Sequence, residues 1–383
     1  MASALNPTQL LSKLAALRQE LHSRPEQSNS EEATAARICA LLAAHHPDQI
    51  ISGLGGHGLA FVFDGAEPGP CVAFRCELDA LPIHETNTFA YRSQHAGVAH
   101  KCGHDGHMAI VVGLGLRAAA KRPRRGRLVL LFQPAEETGE GATRMALEPA
   151  FQTLGIETLF ALHNLPEYPL GTVVVRSGPF TCASVGLTVR LRGKTAHAAH
   201  PEDGISPALP MCAIIAGLKQ LPARVSGFCR VTVVGAKLGE AAFGTAPGEA
   251  QVMATLRAEA DSDLEQVKAG ALDLIAIEAE KGGLTHKISY CDAFPAGTNH
   301  PQAVQHICRA AKALNAPLHH LEAPLRFSED FGCLTRGIRG AMFGLGSGPG
   351  PGLHNPDYDF PDALIGPGLD LFQRLADQLL AGV

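Results

Sequence analysis

Apolar side chains recur at Leu10, Leu11, Leu14, Leu17 and Leu21, a helical spacing that predicts a helix over residues 8–22. Residues 31–45 read as a second helix and residues 53–58 as a turn. Two apolar runs, 60–63 and 71–75, read as strands, the second leading into Glu77-Leu78-Asp79-Ala80-Leu81-Pro82. A helix over 106–120 and a wholly apolar strand over 127–132 follow, then another apolar strand over 158–162. Apolar strands alternating with helices predict an α/β fold built on a mainly parallel sheet with both faces covered.

The rhythm changes between residues 183 and 294. A strand over 185–191, a helix over 207–221, strands over 230–237 and 249–256, a helix over 264–281 and a strand near 286–290 give the order βαββαβ. That order suits a small ferredoxin-like sandwich with one antiparallel sheet. The α/β pattern then resumes with a helix over 302–314, a strand over 340–344 and a closing helix over 364–380. The expected organisation is therefore one domain from residues 1–182 and 295–383, interrupted by an inserted domain over 183–294.

Bulk composition narrows the function. A chain of 383 residues is long enough for two domains and a large core, so a bound metal need not hold the fold together. The net charge of −5 argues against a nucleic-acid partner, and the basic run Lys121-Arg122-Pro123-Arg124-Arg125 reads as a solvated turn before a strand. The cysteines are scattered without framework spacing, and several (Cys39, Cys71, Cys212, Cys229) lie in apolar surroundings, which points to a reducing compartment. The first residues lack a basic-then-apolar leader pattern, and no apolar run reaches the length of a membrane span. The expectation is a cytoplasmic protein without a membrane partner.

The densest chemistry is Cys102-Gly103-His104-Asp105-Gly106-His107: a thiol, two imidazoles and a carboxylate in six residues. Thiolate and neutral imidazole are good ligands for zinc and its first-row neighbours. No second Cys-x-x-Cys or His-x-x-x-His completes a closed structural site, so the stretch reads as half of an open one. In a parallel sheet, chemistry gathers beyond the carboxyl ends of strands. Glu77 and Asp79, Gln133-Pro134-Ala135-Glu136-Glu137, and His163-Asn164 all follow predicted strands. With His354 in a Gly/Pro-rich loop, the candidates for two adjacent metal positions are Cys102, His104, Glu137, His163 and His354. A bound metal lowers the pKa of water toward about 7. Of two adjacent carboxylates, one can bind metal while the other, Glu136, moves the proton.

In chain order, Leu21-His22-Ser23-Arg24-Pro25-Glu26, Arg75-x-Glu77-Leu78-Asp79-Ala80-Leu81-Pro82, His100-Lys101-Cys102-Gly103-His104-Asp105-Gly106-His107, Gln133-Pro134-Ala135-Glu136-Glu137, His163-Asn164 and Leu353-His354 resemble the metal-dependent aminoacylase and peptidase family. Within it they are similar to the branch of hippurate hydrolases and plant-type auxin–amino-acid conjugate hydrolases. The resemblance implies hydrolysis of the amide bond of an N-acyl amino acid, a small-molecule substrate, to a carboxylate and an amino acid. It implies two divalent ions on Cys102, His104, Glu137, His163 and His354, with Glu136 as general base. Zinc suits this mixed donor set; manganese, cobalt and nickel remain open. It also implies that the inserted domain is a lid that forms a homodimer.

Gly193-Lys194-Thr195-Ala196-His197-Ala198-Ala199 resembles the family's lid motif, so His197 is expected to reach an active site, that of the other subunit, and hold the oxyanion. Arg257 matches a position expected to meet a substrate carboxylate, and Asn164 is a second expected substrate contact. Asp79 and Asp105 are expected to orient ligand histidines. Ser328-Glu329-Asp330-Phe331 resembles a segment near the substrate pocket and reads as pocket wall or as support behind the site, not as chemistry. Two departures stand out: Phe243-Gly244-Thr245-Ala246-Pro247 replaces the usual Phe-Asn-x-Ile-Pro, and Phe327 stands where glycine is usual. Two other readings remain open at this point, an exopeptidase or dipeptidase on the same scaffold and a catalytically silent binding protein.

Overall fold

A computed structural model describes residues 6–381. The chain divides into two compact units: the first runs through Phe180 and takes in Thr298–Ala323 and Asp330 onward, and the second comprises Thr181–Gly297 and Pro324–Glu329. The short stretch Pro324–Glu329 thus groups with the second unit although it lies beyond residue 294 in sequence.

The first unit opens with helices α1 (Pro7–Ser23) and α2 (Glu32–Ala43). Asn6 and Gln9 close a reciprocal capping box at the start of α1, which satisfies two otherwise orphaned backbone donors. Strands β1 (Gln49–Leu54) and β2 (Gly58–Asp64) form an antiparallel hairpin. The turn expected at 53–58 is the tip of that hairpin; β1 carries no strand periodicity because its side chains, Ile50 among them, are mostly exposed. Then come β3 (Glu67–Glu77), helix α3 (His104–Ala120), β4 (Arg125–Gln133) and β5 (Thr158–Leu165).

These strands belong to an eight-stranded sheet in the order β1, β2, β4, β3, β5, Arg339–Gly346, Val173–Val175, Leu318–His320. Its centre is parallel: β3 pairs with β4 and β5, and Arg339–Gly346 pairs with β5, all in parallel. Every residue of β5 is buried, the signature of a strand covered on both faces. The parallel register sets Glu77 beside Gln133, so the carboxyl ends of β3 and β4 finish level.

One apolar core joins the sheet to its helices through Leu14, Ile38, Phe74, Ile110, Leu130 and Phe372. Helix α3 is buried along most of its length. At Gly113 it comes so close to its neighbours that a Cβ would lie 2.7 Å from Leu14 Cδ1.

The second unit holds strands Ala183–Arg192, Cys229–Leu238, Glu249–Ala258 and Thr285–Phe294 with helices Ala208–Leu218 and Asp261–Lys281. Its sheet is wholly antiparallel, with Ala183–Arg192 and Glu249–Ala258 central. This is the ferredoxin-like βαββαβ arrangement. Val185, Leu187, Val189 and Leu191 alternate toward a core shared with Ile214, Leu218, Val267 and Ile275, while Arg190 and Arg192 point to solvent. Cys71 is buried, but Cys212, expected in apolar surroundings, is exposed.

Phe74 stacks on Phe160 at 5.7 Å and meets Phe372 at 4.8 Å between ring centroids. Phe74→Ala should therefore destabilise the chain by about 3–5 kcal/mol. Chemical denaturation checks this, and an unchanged midpoint would show that these rings contribute no net stability.

Candidate metal centre

The first ligand candidates come from the loop entering α3. Gly103, the N-cap of α3, sits at φ 99°, a left-handed conformation that glycine adopts freely. A Cβ at this position would lie 2.5 Å from Asn164 Oδ1. The turn brings Cys102 and the first helical residue, His104, to the same side of the sheet edge. Beyond β4, Ala135 takes a strained φ of 49°, held by a 2.7 Å bond from its N–H to Glu31 Oε1.

The candidate donor atoms converge. Cys102, His104 and His163 form one group, Cys102, Glu137 and His354 a second, and His104, Glu136 and Glu137 a third, each with its donor atoms within 4.8 Å of one another. Cys102 Sγ lies 3.3 Å from His163 Nε2 and 3.4 Å from His354 Nε2. His104 Nε2 is 3.9 Å from both Glu136 Oε2 and Glu137 Oε1, and His354 Nε2 is 3.8 Å from Glu137 Oε2. Cys102 and Glu137 thus lie between three imidazoles.

The histidines present bare nitrogens to this cluster. His104 Nδ1 donates to the Asp79 carbonyl at 2.8 Å, and His163 Nδ1 donates to the Asn164 carbonyl at 2.9 Å. Each bond fixes the tautomer and leaves Nε2 as the acceptor. His104 Nε2 is buried and has no hydrogen-bond partner. Burial, joined by the neighbouring His107, holds the His163 ring down at about 3, so it stays neutral. Burial also pushes His104 down, but Glu77, Asp79 and Glu137 override it and raise the ring to about 10. The carboxylates around His104 therefore favour positive charge at this place. A divalent ion supplies that charge and the partner that His104 Nε2 lacks, so the residues present fit a metal.

Asp79 lies where an orienting group should: its Oδ1 is 3.4 Å from His104 Nδ1, and its Oδ2 accepts from Ser28 Oγ and from the backbone N–H of Glu137. It therefore braces two candidate ligands at once.

Two expectations are corrected. Asp105 does not face a ligand histidine; it accepts from His22 Nδ1 at 2.8 Å and lies 3.6 Å from Arg18, because it occupies the face of α3 that packs on α1. Asn164, expected to meet substrate, is fully buried, with Oδ1 against His107 Nε2 and Nδ2 donating to Tyr358 Oη. Its alternation along β5 turns it inward, away from the open edge.

Several other residues of the quoted motifs form a buried polar framework. Glu77 accepts from Arg75, and His107 Nδ1 meets Glu77 Oε2 at 2.7 Å. Asp330 accepts from Gln133 Nε2 at 2.7 Å and from Arg75 at 3.2 Å, so it belongs to this buried framework. Their pairings span up to 255 positions of sequence.

In the second unit, His197 is exposed on a short ribbon where residues 196–197 pair with 245–246. Its Nδ1 accepts from the Ala199 N–H at 3.0 Å, which leaves an outward Nε2–H as a donor. Arg257 donates to the Arg326 carbonyl and to Ser328 Oγ, both neutral acceptors.

Fold and donor set together define a metal-dependent hydrolase. The chain belongs to peptidase family M20/M25/M40, whose model matches residues 73–378, and it is a metal-dependent amidohydrolase of that family. It is 31% identical over 355 residues to an N-acetyldiaminopimelate deacetylase of Bacillus licheniformis, covering 90% of this chain and 92% of that protein. It is 29% identical over 368 residues to an N-acetyl-L-cysteine deacetylase of Bacillus subtilis, covering 95% and 87%. Among solved structures, the YXEP protein of Bacillus subtilis, described as a dinuclear metal-binding peptidase of the M20 family, superposes with a TM-score of 0.81 at 24% identity, covering 98% of this chain and all of that one. No helix among the described residues is long and apolar enough to cross a membrane.

Burial pushes the His22 ring down, but its bonds to Asp105 and Glu85 raise it further, from 6.5 to about 9. A raised pKa contributes stability in full below the unfolded value and loses it as pH climbs through the folded value. Melting temperature should therefore drop between pH 7 and 9.5 more steeply in the wild type than in His22→Gln. Parallel slopes would mean that the ring is not charged in the folded protein.

Proposed function

We propose that this chain hydrolyses the amide bond of N-acyl amino acids, using two divalent ions held by Cys102, His104, Glu137, His163 and His354. One observation carries the reading: these five side chains, from loops far apart in sequence, converge with Glu136 at the carboxyl edge of a parallel sheet. Zinc is the proposed ion, since thiolate, imidazole and carboxylate together suit it. When bound, the ions polarise the scissile carbonyl and make water acidic enough to lose a proton near neutral pH.

The remaining steps belong to side chains. Glu136 accepts the proton of the attacking water as its oxygen bonds to the carbonyl carbon. It then delivers that proton to the amide nitrogen as the C–N bond breaks, releasing a carboxylate and an amine. Glu136 is 5% exposed, which shields this transfer from bulk water. The His197 Nε2–H donates to the oxyanion of a second copy's substrate, so the working form is a homodimer through the second unit. Arg257 takes the substrate carboxylate, supported by the absence of any acidic partner among its described hydrogen bonds.

N-acyl amino acids are favoured over dipeptides because two curated relatives carry deacetylase names. Assay of acetylated, aroylated and dipeptide substrates tests the choice directly. Turnover of dipeptides with no hydrolysis of acylated amino acids would assign an exopeptidase instead.

Glu136→Gln should lower kcat by at least about a thousandfold while metal content stays at the wild-type level. Parallel loss of metal would make Glu136 a ligand. His197→Ala should depress kcat by about a hundredfold with little change in KM. An unchanged kcat would leave His197 a surface residue.

A further inference from the structure

His354 is the proposed ligand with the least local support. It lies on no strand or helix, its backbone takes a left-handed φ of 64°, and half of its side chain is exposed. A non-glycine residue keeps such a conformation only when its surroundings hold it there. The structure shows one residue gripping both ends of the segment 354–358. The Lys101 carbonyl accepts from the His354 N–H at 2.8 Å, and Lys101 Nζ donates to the Tyr358 carbonyl at 2.7 Å.

The lysine is an unusual choice for this place. Lys101 is fully buried, and its Nζ pairs with Glu85 Oε1 at 2.5 Å. Glu85 is held in turn by His22 Nε2 at 3.0 Å and by the Ser93 N–H at 2.5 Å, and its carboxyl lies down near 2: burial raises it, but these bonds lower it further. The adjoining loop adds a bond from the Thr86 N–H to the Pro356 carbonyl at 3.1 Å and one from Asn87 Nδ2 to the Tyr358 carbonyl at 3.3 Å. Lysine is among the residues least often fully buried. A buried ion pair is a poor source of stability, because an apolar pair of the same volume avoids the desolvation of both charges. What such a pair supplies is direction: an ammonium aimed at one carbonyl and one carboxylate fixes where both loops sit.

We propose that Lys101 is a positioning residue for the metal centre: it fastens segment 354–358 to the Cys102 loop and so holds His354 in reach of an ion shared with Cys102 and Glu137. The proposal rests on the ligand set given above. It makes zinc affinity at one of two positions depend on a side chain that touches neither ion.

Zinc titration of metal-stripped protein tests it, on wild type, Lys101→Met, the double variant Lys101→Met with Glu85→Gln, and His354→Ala. Lys101→Met should keep a cooperative melt and bind one zinc as wild type does. The other zinc should bind about ten- to a hundredfold more weakly. Activity should return when free zinc is raised to saturation, with kcat close to wild type. Unchanged affinity for both ions overturns the proposal, and so does equal weakening of both with a falling melting temperature, which is the mark of general destabilisation. If Lys101→Met fails to fold because Glu85 is left buried without it, the double variant, which removes both charges, decides by the same criteria. His354→Ala separates the two readings. Loss of one zinc there with none lost in the lysine variants rejects the role of Lys101 alone. Retention of both zincs in His354→Ala rejects the ligand set itself.

Discussion

The constraint behind this structure is crowded negative charge at the carboxyl edge of a parallel sheet. Glu77, Asp79, Glu136 and Glu137 crowd around imidazoles that burial alone would keep neutral. The His104 ring is driven to about 10 by that crowding, and its Nε2 is left without a hydrogen bond. Groups so arranged are costly in a protein interior unless something cationic completes them. The centre is thus built around a charge brought from outside the chain, and the fold tolerates it because the apolar core elsewhere is large.

Rigidity around the centre comes from polar groups that never touch a ligand atom's open side. Asp79 braces His104 and the backbone of Glu137 together. Arg75, tied to Glu77, Gln133 and Asp330, anchors the ends of β3 and β4. His22, Asp105 and Arg18 lock α1 to the start of α3. These contacts join loops that the sheet alone would leave free to drift, and drift of a fraction of an ångström is enough to weaken a metal centre.

The second unit has a different physical character. Its sheet is covered by helices on one face only, so apolar and polar side chains alternate, and its charged residues are mostly solvated. The residues proposed to act from this unit, His197 and Arg257, are held by neutral partners: a backbone N–H for the first, a carbonyl and a hydroxyl for the second. Gly244 leaves open space, and Phe243 beside it is fully exposed.

Much of the architecture could be read from the chain. Period and length were enough for α1, α3, β4, β5 and the βαββαβ order, because those elements bury a face and their composition records it. The donor residues were legible too, since Cys-Gly-His-Asp-Gly-His and the double glutamate have few other physical explanations. What sequence could not supply was direction. Asn164 sits next to His163 yet turns inward, and Asp105 sits next to His104 yet faces α1, because alternation along a strand and rotation around a helix send neighbours to opposite sides. Nor could it reveal β1, whose exposed side chains carry no burial pattern, or the clamp of Lys101 on residues 354–358, whose partners are more than 250 positions apart. Sequence by itself determined which groups were available and which segments would become strands and helices. Only the tertiary structure decided which of those groups meet, because pairing between distant loops depends on strand register and packing, and neither leaves a local imprint.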